Sequence, residues 1–113
     1  MPKSGASREK RFRTRAEIQD EVRQRAQSLA LRQHVVDKMQ RLREASDDLT
    51  VDHLDLQRCL ESGTVTDVGA DSDGTLATVL GSGIDVSDLV VVVYVTHAYR
   101  QPLYVEDFIV GRR

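Results

Sequence analysis

A chain of 113 residues is one domain's worth of polypeptide, enough for a single modest core. It is 40% hydrophobic and 30% charged, an ordinary globular balance, and its longest apolar run is strand-sized, too short to span a bilayer. A single cysteine, Cys59, excludes an internal disulfide framework and any zinc site built on paired cysteines. With no apolar leader at the N-terminus, it points to a reducing cytoplasm.

The formal net charge of −2 hides an asymmetry. Residues 1–45 hold twelve Lys/Arg against six Asp/Glu, whereas residues 46–113 hold four against twelve. Such a split implies either a basic arm that seeks an acidic partner or two parts that attract one another, within one chain or between copies.

In chain order, MPKSGASREKRFR offers little to bury and reads as a disordered basic tail over residues 1–13, followed by one α+β domain over 14–113. Thr14 is a plausible N-cap with Glu17 completing a capping box, and Ile18, Val22, Ala26 and Leu29 follow a helical stripe. At Leu31 the stripe jumps, and Val35, Met39 and Leu42 share a different face. The helix therefore bends near Ala30 to His34 or serves two surfaces, and a helix longer than its core suggests a homodimer packed through it. A second helix, capped by Thr50 or Asp48, has Val51, Leu54, Leu56, Cys59 and Leu60 at its apolar positions and ends at a left-handed Gly63.

The period then becomes alternating. TVTDVG and TLATVL pair as a hairpin around ADSDG, GSGIDVSD is a looser connection, LVVVVYVT is a continuously apolar central strand covered on both faces or nearly so, and LYVEDFIV is the last strand. Asp107 disturbs the alternation of that last strand. Short connections require antiparallel neighbours, so the expected architecture is two helices on one face of a four-stranded antiparallel meander.

Few residues carry a chemical signature. GSG at Gly81 to Gly83 lacks the following helix and lysine of a phosphate loop, the three histidines have no metal-ligand spacing, and the hairpin aspartates lack calcium-loop order. No metal or cofactor is expected. Metal-free RNA cleavage needs a base, an acid and cations for the phosphate, which His34, Lys38, Arg41 and Arg43 on the first helix and His97, Tyr99 and Arg100 at a strand end could supply if brought together. His34 and Lys38 lie one helical turn apart. The basic arm, with Lys3, Arg8, Lys10, Arg11, Arg13 and Arg15, suits phosphate contacts of little sequence choice, while the acidic remainder would repel a polyanion from the sheet.

From His34 onward the pattern resembles a small uncharacterised bacterial family, domain of unknown function 4258. The matching residues are His34, Lys38 and Met39; Leu49 and Thr50; Leu60 and Gly63; and Leu89 to Val95. Its layout is similar to that of toxin-type ribonucleases of the RelE and barnase kind, which is an analogy of fold. Two expectations follow. The first is a cytoplasmic interaction module that binds an acidic protein, itself or nucleic acid through its basic tail and helix. The alternative is a toxin-like, metal-independent ribonuclease using His34, Lys38, His97 and Arg100.

Overall fold

Thr14 opens the first helix as its spacing predicts. Glu17 N donates to Thr14 Oγ1 at 3.1 Å, and Thr14 N donates to Glu17 Oε1 at 3.0 Å. The computed structural model describes residues 14–45, 50–84, 86–98 and 101–111, so the expected basic tail lies outside the described residues. Among them are three helices, α1 (Arg15–Arg25), α2 (Gln33–Ala45) and α3 (His53–Ser62), and five strands. The strands are β1 (Leu29–Leu31), β2 (Thr64–Ala70), β3 (Gly74–Gly81), β4 (Leu89–Thr96) and β5 (Leu103–Val110).

The sheet order is β1-β5-β4-β3-β2, antiparallel except for β1, which runs parallel to β5. This corrects the expected two helices and four-stranded meander. The long first helix is two helices with a strand between them, and the expected homodimer contact along it loses its basis. The cause is geometric. From Val22 to Val35 an unbroken helix at 3.6 residues per turn would rotate its apolar stripe by about 140° away from the first face. Ser28 N closes onto Arg25 O, and Leu29–Leu31 then pairs with Leu103–Val105, so both stripes return to the same sheet. Ile18, Val22, Val35 and Met39 all join one hydrophobic cluster with Leu56, Cys59, Leu60, Val91, Val93, Val105 and Phe108.

The second helix starts later than expected, because Asp52 and not Thr50 caps it. Asp52 accepts from Leu54 N and Asp55 N, and Asp55 returns a bond to Asp52 N; Asp48 lies outside the described residues. Leu56, Cys59 and Leu60 are buried as the pattern requires, but Leu54 is exposed. Gly63 is extended (φ −79°, ψ 178°), not left-handed. Glycine is needed there for room: a Cβ would meet Cys59 O at 2.5 Å and Leu80 O at 2.8 Å.

β4 is the middle strand, and its Leu89, Val91, Val93 and Val95 are buried beneath the helices. Its other face is half-exposed, which corrects the expectation of cover on both sides. The disturbance in LYVEDFIV is a β-bulge: Val93 pairs with Val105 and Val92 with Asp107, so Glu106 is the extra residue. No described helix is long and apolar enough to cross a membrane.

Candidate functional site

β5 runs past the end of three-residue β1, which leaves its outer edge without a strand partner beyond Val105. The start of α2 fills that gap. Arg32 N donates to Val105 O at 3.3 Å, His34 Nε2 lies 2.5 Å from Glu106 O, and Lys38 Nζ donates to Phe108 O. Lys38 also bonds Asp107 Oδ1 at 2.9 Å, and that carboxylate accepts from Phe108 N at 2.8 Å. These contacts, led by the Lys38 hydrogen bond, hold the Asp107 carboxyl below the usual carboxylate range. Arg32 adds an ion pair to Glu106 at 2.9 Å and lies 4.8 Å from the centre of the Tyr104 ring. His34 and Lys38 are therefore side by side, as their spacing predicts, and both serve main-chain oxygens of bulged β5 where its outer edge has no strand partner.

His97 lies elsewhere. Glu106, which His34 touches, sits beside the Val92/Val93 step of β4, and His97 is four residues beyond Val93. At ~3.3 Å per residue that is roughly 13 Å along the sheet. His97 is buried at 6% exposure, whereas His34 is exposed. Its N–H donates to Asp73 O at 2.9 Å, which ties the end of β4 to the β2–β3 turn. A cavity of about 330 Å³ opens there, lined by Ser72, Asp73, Thr96, His97, Ala98 and Gln101. Tyr99 and Arg100 lie outside the described residues. The histidines, the two groups a metal-free ribonuclease would use as acid and base, are not brought together.

Sequence reasoning missed the groups that organise this end of the sheet. Arg25, buried on α1, bonds Glu21 Oε2 at 2.6 Å, Thr96 O at 3.2 Å and Ala98 O at 3.3 Å, clamping the exit of β4 to the helix. The signal was present: Glu21 and Arg25 are one turn apart and adjoin Val22 and Ala26 on the buried stripe. Asp71, read from the sequence only as a turn residue, also ties Tyr94 to the hairpin. Its Oδ1 accepts from Tyr94 Oη at 2.7 Å, Asp73 N at 2.8 Å and Gly74 N at 2.9 Å. The Tyr94 bond is the largest of the effects that lower its carboxyl, while desolvation and then Asp71 push the Tyr94 phenol up to about 12.

Basic side chains are segregated by layer, although the three helices carry as many Asp and Glu as Lys and Arg. Among the described residues no strand carries Lys or Arg, and every such side chain lies on a helix or at Arg32, which leads into α2. The β2–β3 hairpin carries Asp67, Asp71 and Asp73. Of the basic residues expected to bind a partner, Arg15 is described, exposed in the first turn of α1; Arg8, Lys10, Arg11 and Arg13 lie outside the described residues. Among the described residues no group of three or more His, Cys, Asp or Glu could hold a metal ion.

No family model, curated protein or solved structure matches this chain. Its functional reading therefore rests on its own residues.

Proposed function

We propose that this protein is an interaction module that binds a polyanionic partner through its basic N-terminal segment, Lys3 to Arg15, and performs no chemistry on it. The observation that carries this reading is the concentration of cations in the N-terminal segment. The helices carry as many acids as bases, and the described strands carry acids and neither Lys nor Arg. A polyanion approaching the sheet is repelled; one approaching the N-terminal segment meets five cations in eight residues, Arg8 to Arg15. The engagement of His34 and Lys38 with β5 carbonyls, and their separation from His97, weigh against the ribonuclease alternative.

The test is binding of the full chain to a labelled single-stranded oligonucleotide and, separately, to polyglutamate across a range of salt. Affinity falls linearly on logarithmic axes as salt rises. Replacing Arg8, Lys10, Arg11 and Arg13 by Ala lowers the oligonucleotide slope by up to ~3, at about 0.7 per lost contact. The polymer bound more tightly near physiological salt names the partner class. Salt-independent binding, or a four-fold variant that binds as the wild type does, refutes the reading.

A further inference from the structure

All three helices cover one face of the sheet, and the other face stays open. On it three cross-strand rows can be read from the register: Leu80–Val90–Ile109, Thr78–Val92–Asp107 and Leu76–Tyr94–Tyr104. Leu80, Ile109 and Leu76 are 50%, 54% and 43% exposed, large apolar side chains held out to solvent on a rigid surface. We infer that this face docks a second copy of the same chain, with the two-fold axis lying in the interface along β4. The inference is independent of the polyanion reading.

Symmetry supplies the argument. β4 is the middle of five strands, so rotation about it lays β3 of one copy over β5 of the other while keeping each row at its own height. Leu80 then faces Ile109, Leu76 faces Tyr104, and Val92 faces itself. Thr78 offers its hydroxyl to the Asp107 carboxylate. One strand further out, Asp67, the register partner of Thr78, faces the edge where Lys38 holds Asp107. The acidic hairpin of each copy thus meets the edge of the other, where Arg32 and Lys38 already pair with Glu106 and Asp107. A two-fold axis across the strands through the Val92 row would instead set Asp67 on Asp67, a like-charge contact that the axis along β4 avoids.

Size agrees. Four long strands ~4.8 Å apart, each of about eight residues rising ~3.3 Å, give a face of roughly 500 Å² in projection. Side-chain relief raises its accessible area towards the ~800 Å² per partner of a standard interface. Two such faces pack ~10 Å apart with strands aligned to within about 30°.

Sedimentation velocity on the full chain over a wide concentration range tests this. The wild type sediments as a dimer. Leu80→Asp and Ile109→Asp, at positions already exposed in one copy, each raise the dimer Kd by about a hundredfold or more and leave the far-ultraviolet circular dichroism unchanged. Val92→Cys, next to the axis, is joined to its copy by a bismaleimide with a reach of ~10 Å, whereas Glu61→Cys on exposed α3 is not. A dimer that survives both aspartate variants, or a monomer at every concentration, overturns the proposal. A monomer whose Val92→Cys is still shielded from maleimide gives the face to the chain's own N-terminal segment instead.

Discussion

Arg25→Met removes the clamp between α1 and the exit of β4. The Glu21–Arg25 pair is nearly dry, with side-chain exposures of 9% and 7%, so water does little to replace the lost guanidinium. Removing one member of a buried pair costs about 3–5 kcal/mol, chiefly because the remaining charge stays desolvated. The carbonyls of Thr96 and Ala98 are partly accessible and recover water, so their bonds to Arg25 add little. Taking ~3 kcal/mol, a domain of this size loses roughly 12 °C in Tm. Methionine keeps much of the stem's volume, which separates the charge effect from a packing defect. The assay is thermal and urea unfolding by circular dichroism at one fixed protein concentration, run as a double-mutant cycle with Glu21→Leu. The double variant loses less than the sum of the singles, by at least ~2 kcal/mol, because it leaves no buried charge behind. Single losses under ~1 kcal/mol that simply add would refute the clamp.

Gly63→Ala costs about 1–3 kcal/mol through contact with the Cys59 and Leu80 carbonyls, although the backbone angles suit alanine; urea unfolding measures it. Cys59 is fully buried with its Sγ 3.5 Å from Leu89 O, and burial raises its thiol to about 11. Alkylation by iodoacetamide at pH 8 is therefore slow in the folded protein and becomes fast in urea. Asp107 titrates lower folded than unfolded, so it stabilises the fold above its unfolded value of about 4. That contribution fades as pH falls through its depressed folded value, and in Lys38→Met the acid unfolding curve below about pH 4 is shallower.

The legible parts of the chain were those whose signals are local. The Thr14–Glu17 capping box, the β2–β3 hairpin and the glycine-bearing turn at Asp71 to Gly74 each lie within a few residues, and each formed as its pattern implied. β1 was hidden because Leu29 fits a helical stripe as well as a strand. What decides between them is a partner 74 residues away at Leu103 to Val105. The α3 cap was misplaced because Asp52–Asp55 uses aspartate where a capping box usually has glutamate or glutamine.

The same contrast holds at the site. The shared side of His34 and Lys38 followed from one turn of helix, but what they face depends on the bulge at Glu106, which a disturbed alternation announces without saying what fills it. The strand end at His97 drew attention as a candidate acid–base site. Its anchoring by Arg25 and Asp73 comes from elements 72 and 24 positions away, beyond any local pattern.

Incubation of a labelled single-stranded RNA with the full chain in chelator at low salt, resolved in parallel on native and denaturing gels, separates binding from chemistry most directly. The account predicts RNA retarded on the native gel, released by added salt, and intact on the denaturing gel. Cleavage that disappears in His34→Ala or His97→Ala would contradict it.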